Sequence, residues 1–117
     1  MSEAAELLPL EATVKALIAA TNAFDVQAGL ALFTATAVID DPSTGHTFRG
    51  RAGVQDYLER YFVGYHTVTH LLSVTALGRT RIRARVDFTG DFGHEIGLLD
   101  LAVDTHGRIS RIDAALE

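Results

Sequence analysis

The chain has 117 residues, 48% of them hydrophobic, which fits one domain and leaves little room for a second. A net charge of −5, with nine Arg and a single Lys as the basic set, argues against a nucleic-acid partner, because phosphate neutralisation needs clustered cations. With no cysteine, disulfides, thiolate catalysis and zinc–thiolate sites are excluded.

Residues 1–8 lack the basic stretch and apolar run of a signal peptide, and a flexible lead-in is expected there. No stretch approaches the ~20 apolar residues that span a bilayer, so the expected location is the cytoplasm, with no membrane partner. Pro9 suits the first turn of a helix in which Leu10, Val14, Leu17, Ile18 and Thr21 recur at helical spacing. Asn22-Ala23-Phe24 breaks that pattern. Asp25 is a good N-cap for a second, shorter helix with Val26, Leu30 and Phe33 inward. Residues 36–41 form a short β-branched run stopped by Pro42, and Pro42-Ser43-Thr44-Gly45 reads as a turn before a return strand over 46–49. A third helix is expected after Gly50, with Val54, Tyr57, Leu58, Tyr61 and Phe62 on one face.

The second half changes character. Residues 66–76, 79–89, 95–104 and 108–116 read as four strands separated by hairpin turns. In the second of these, charged Arg79, Arg81, Arg83, Arg85 and Asp87 alternate with mostly apolar partners, so one face is solvated or pairs with another subunit. Long strands in a small sheet twist and curve, and a curved sheet closed by helices leaves a cavity on its concave side. The expected architecture is α+β: three N-terminal helices on a curved, mostly antiparallel sheet that forms a cone-shaped pocket.

Several side chains carry candidate chemistry. Asp41 shares strand parity with Ala37 and Ile39 and so points with them, where an aspartate facing an apolar cavity suits a general base. The competing reading is that Asp-Pro opens a turn and the carboxylate caps backbone amides. Asp40 has the opposite parity and is expected to be solvated. Asp100 lines up with Ile96, Leu98 and Ala102 in an apolar strand, where a carboxyl is costly unless protonated or paired. His66 and His70 lie four apart on one strand face, and hydrogen bonding within the sheet is their ordinary role. Arg85 and Asp87 fall on the charged face, which reads as a surface ion pair. Gly50-Arg51-Ala52-Gly53 lacks the Gly-Lys-Ser/Thr ending of a phosphate loop. No third ligand or carboxylate second shell supports a metal site. Both faces of residues 95–104 are rich in apolar residues, so a second subunit is expected to cover one of them, giving a homodimer.

The elements Asn22-Ala23-Phe24-Asp25, Leu32-Phe33, Ala37-Val38-Ile39-Asp40-Asp41-Pro42, the helix-opening Gly50, Gly97-Leu98-Leu99-Asp100 and Gly107-Arg108-Ile109 together resemble the nuclear transport factor 2-like superfamily. The resemblance is to its SnoaL-like and ketosteroid isomerase-like part, and it covers residues 10–117, so the chain reads as one SnoaL-like domain over 1–117. It implies a cofactor-independent proton-transfer isomerase acting α to the carbonyl of a small apolar molecule. Asp41 falls where the isomerases keep the general base, and Asp100 where they keep a protonated carboxyl that donates to the oxyanion. At Leu17 the sequence departs from the pattern, since the isomerases place an oxyanion-hole tyrosine there; Tyr57 is an alternative donor. Val68-Thr69-His70-Leu71-Leu72 also resembles the segment bearing the catalytic histidine of scytalone dehydratases, implying a dehydratase or polyketide cyclase that uses Asp41 and His70. Arg85-Val86-Asp87 resembles the limonene epoxide hydrolase element, but its strand parity points outward. Leu17, Tyr57, Tyr61, Val86, Phe88 and Leu98 are the expected pocket lining. A non-catalytic small-molecule-binding dimer is the alternative from another class.

Overall fold

The computed structural model describes residues 3–117, with side chains from Leu7 onward. Helix α1 spans Glu3–Asn22, beginning ahead of Pro9, and it buries Leu10, Val14, Leu17, Ala20 and Thr21 along one stripe. Of the flexible lead-in expected over 1–8, residues 3–8 are helical and residues 1 and 2 lie outside the described residues. Phe24, at φ +56°, reverses the chain, and the Asp25 carboxylate accepts from Ala28 N–H at 3.0 Å to cap helix α2, Val26–Leu30. That helix is shorter than expected. Phe33 is not on its inward face but opens strand β1, Phe33–Asp41, because Ile109 N–H donates to the Leu32 carbonyl and draws the chain into the sheet.

Strand β1 ends in a 3-10 turn, Pro42–Thr44, and returns antiparallel as β2, His46–Arg49. Gly50, at φ +70°, turns the chain into α3, Gly50–Leu58, in a conformation costly for any residue with a Cβ. A π-helical turn, Glu59–Val63, continues α3. Tyr57 and Phe62 are buried and Tyr61 half-buried, on the one helical face expected from their spacing. Strands β3 (Val68–Ala76), β4 (Arg81–Gly90), β5 (Gly93–Val103) and β6 (Ile109–Leu116) form the expected antiparallel meander.

The strand order is β2-β1-β6-β5-β4-β3, and β1 pairs parallel with β6 while the other neighbours are antiparallel. Register shifts interrupt β3 beside β4, β5 beside β6, and β1 beside β6, and such bulges bend a sheet toward its helices. The concave face carries Ala37, Ile39, Ile82, Ala84, Val86, Leu99, Leu101 and Ile112, all buried with the helical stripe in one core. Fully burying a side chain of Val or Ile size contributes about 1.5–3 kcal/mol, so this face is what holds helices to sheet.

Strand β3 would leave an open edge. The Asn22 side chain caps it at Thr69: its Nδ2 donates to the Thr69 carbonyl at 2.9 Å and its Oδ1 accepts from Thr69 N–H at 2.8 Å. A helix-terminal amide here imitates one step of a neighbouring strand. Asn22→Ala leaves both partly buried backbone groups without these bonds and should lower stability by about 1–3 kcal/mol in urea denaturation. Asn22→Asp, which retains an acceptor, should recover part of the loss.

Candidate active site

The open end of the sheet and the α3 side enclose a cavity of about 300 Å³. That lies at the lower end of the range for small-molecule sites. Asp41, Ser43 and Thr44 from the β1 end and its turn line it, with Tyr57, Tyr61, Phe62, Tyr65 and Thr67 from α3 and the segment after it. Phe88, Phe92, Glu95 and Leu116 supply the remaining wall. The aromatic rings touch one another in series: Tyr57 and Tyr61 at 5.3 Å between centroids, Tyr61 and Tyr65 at 6.1 Å, Tyr65 and Phe92 at 6.1 Å. Such offset and edge contacts keep a wall rigid without filling the space it encloses.

Asp41 is buried, with 8% of its surface exposed. Its Oδ2 accepts from the Tyr57 hydroxyl at 2.7 Å, while Oδ1 accepts from Ser43 N–H at 3.1 Å and Ser43 Oγ at 2.6 Å. The carboxylate caps the Asp-Pro turn with one oxygen and lines the cavity beside Tyr57. Burial, then the neighbouring Asp41 charge and hydrogen bond, push the Tyr57 phenol well above its ordinary value of 10.0. Tyr57 is thus a proton-bearing donor throughout the neutral range.

Asp100 is elsewhere. On the antiparallel register Arg83 sits opposite Asp100, so the two share the convex face, and Arg83 Nε and Nη2 donate to Asp100 Oδ1 and Oδ2 at 2.8 and 2.9 Å. The expectation that Asp100 faces the cavity is corrected by that pairing: the residues in phase with the buried face of β5 are Gly97, Leu99 and Leu101. Leu98 lies with Asp100 on the convex side for the same reason. His70 is exposed and sits across from Asp87, on the face opposite the buried Thr69, and so is remote from Asp41's cavity. His66 precedes β3, at φ +54°, with Nδ1 2.9 Å from Asp91 Oδ2. Arg85 and Asp87 do lie outward, yet not as one ion pair: Arg85 holds Glu117 at 2.8 Å, and His94 Nε2 is 2.7 Å from Asp87. Of the expected lining residues, Tyr57, Tyr61 and Phe88 line the cavity, whereas Leu17 and Val86 are consumed by the core.

Sequence reasoning missed Glu95, Tyr65, Phe92 and Leu116 at the mouth. Glu95 had a signal, since it is in phase with Gly97, Leu99 and Leu101, but the strand was assigned the wrong inward face. Gly97 matters to the wall as well: a Cβ there would fall 2.8 Å from the Phe88 ring. Among the described residues no group of three or more His, Cys, Asp or Glu could hold a metal ion, and no helix is long and apolar enough to cross a membrane.

The SnoaL-like domain family model matches residues 14–114, so the chain belongs to that family. Its fold is nuclear transport factor 2-like. RV0760c from Mycobacterium tuberculosis, solved in complex with estradiol-17beta-hemisuccinate, is 15% identical with a TM-score of 0.80, over 93% of this chain and 94% of that one. The epoxide hydrolase/cyclase-like enzyme SalBIII, of pyran ring formation in polyether salinomycin, is 16% identical with a TM-score of 0.82, over 92% and 90%. A computationally designed 17-OHP binder is 16% identical with a TM-score of 0.81, over 93% and 91%. At these identities the likeness establishes the fold. No curated protein matches the chain.

The Tyr57–Asp41 bond has a direct spectroscopic consequence. In alkaline ultraviolet titration, one of the three tyrosines should resist ionisation while the protein stays folded, and Tyr57→Phe should remove that late titrant. Because the folded phenol is raised above its unfolded value, the stability it contributes is present below pH 10.0 and is lost as pH climbs beyond it.

Proposed function

We propose that this protein binds a small apolar carbonyl compound and transfers a proton at the carbon α to the carbonyl. Asp41 takes the proton on Oδ2 and returns it at another carbon. The observation that carries this reading is the buried Asp41 carboxylate lining an aromatic cavity, with Oδ2 oriented by the Tyr57 hydroxyl. A base works only within hydrogen-bond reach of the proton it removes, and a carboxylate held from both oxygens is positioned for that. Asp100 has no part in the mechanism. The donor toward the enolate oxygen is assigned to Tyr61, which lines the same cavity while the Tyr57 hydroxyl is committed to Asp41. Two structural neighbours, a designed 17-OHP binder and a protein solved with estradiol-17beta-hemisuccinate, bind small molecules, which supports a small-molecule substrate.

Asp41→Asn should lower the rate of isomerisation across a panel of enones, ketosteroids and polyketide fragments by about 10²–10⁴-fold with little effect on folding. Wild-type rates at background across the panel would sink the proposal. A second reading, ligand binding without turnover, is favoured by the three donors already spent on Asp41 and by the removal of Asp100 from the cavity. It predicts that hydrophobic ligands raise Tm equally in wild type and Asp41→Asn.

The protein is further proposed to be a homodimer through the convex sheet face. Leu98 and Ala102 are only half-buried there, between the Arg side chains of β4 and the carboxylates paired with them. Light scattering at micromolar concentration should return twice the mass of one chain, and the mass of a single chain would refute the interface.

A further inference from the structure

The two faces of the sheet treat their carboxylates differently. On the convex face each strand carboxylate meets a cationic or titratable partner: Asp100 meets Arg83, Asp40 and Asp113 meet Arg111, and Asp87 meets His94. On the concave face Asp41 is held by neutral donors, and Glu95 has no hydrogen-bond or ion-pair partner among the described residues. No Lys, Arg or His lines the cavity onto which both open. Glu95 sits directly across from Phe88 in the β4–β5 register and shares the mouth with Tyr65 and Phe92, which are 45% and 42% exposed. The Arg60 guanidinium lies over the Tyr61 ring at 5.5 Å and pairs with Asp56 on the exposed side of the helix.

Asp41, buried in the cleft, and Glu95, exposed at its mouth, are both negative with no cation lining the apolar walls between them, so the cleft carries a negative potential. Aromatic faces add to the attraction for a cation and do nothing for an anion. We infer that the cavity selects apolar ligands that carry a protonated amine and rejects carboxylates, with Glu95 as the specificity-determining residue at the mouth. This rests on the reading of the cavity as a ligand site, and it adds a second anchor: the reacting end of the ligand lies toward Asp41 and its cationic end toward Glu95.

Three probes with one skeleton test it: naphthylmethylamine, naphthylmethanol and naphthoate, titrated into the full chain by calorimetry at low and high salt. The amine should bind roughly tenfold tighter than the alcohol at low salt, naphthoate should bind weakest, and salt should narrow the gap. Glu95→Gln should remove most of the amine's advantage, and Glu95→Lys should turn the preference toward naphthoate. Equal affinities for the three probes, an amine that does not bind, or an advantage that survives Glu95→Gln but is lost in Asp41→Asn would each overturn the assignment. Because the readout is binding, it separates from catalysis. Charge preference with no turnover on the enone panel defeats only the proton-transfer reading, and turnover without charge preference defeats only this one.

Discussion

Antiparallel register leaves a side chain on β4 or β5 only two directions to face, and nearly everything else in this molecule follows from which direction each residue was given. Arg83 lies opposite Asp100, so Ala84 must lie opposite Leu99, and Ile82 opposite Leu101. Each outer pair from Arg81 to Asp87 holds a charged residue and the inner pairs from Ile82 to Val86 hold none, so the helices can cover only the second set without burying unmatched charge. The sheet therefore has one permissible inner face. Its bulges curve that face around α1 and α3, and at the end where the helices no longer fill the space a cavity is left between Asp41 and Glu95.

The polar end of that cavity is built from pieces distant in the chain but simple in their local logic. An Asp-Pro-Ser turn needs a cap, and Asp41 supplies it through one oxygen. Residue 57 belongs to the inward stripe of a helix and needs a partner for its hydroxyl once buried, and the other oxygen of Asp41 supplies that. One carboxylate thus satisfies two structural needs and still lines a pocket. The same economy explains why Asp41 can be a positioned group without a second carboxyl to support it.

Much of this was legible in the sequence. The α+β class, the order of the elements, the third helix with its aromatic stripe and the parity that turns Asp41 inward all came from periodicity and turn chemistry, which are local properties of the chain. Asn22 was visible only as part of a family-like motif; its work as an edge clasp on Thr69 depends on a partner 47 residues away. Asp100 and Leu98 were expected to face the cavity, and Glu95 was passed over, for a related reason. The apolar residues of β5 alternate on both sides, so periodicity in that strand alone has no preferred phase.

What the sequence by itself determined is therefore the set of elements and, wherever polar and apolar residues alternate cleanly, the inward face of each. What only the tertiary structure decided is which neighbour each ambiguous strand meets. The charged row of β4 fixed the outer face of β5, drew Asp100 to Arg83, and left Glu95 exposed at the cavity mouth without a counter-charge. Pairing free energy between strands depends on both partners, and one strand's sequence carries only half of it.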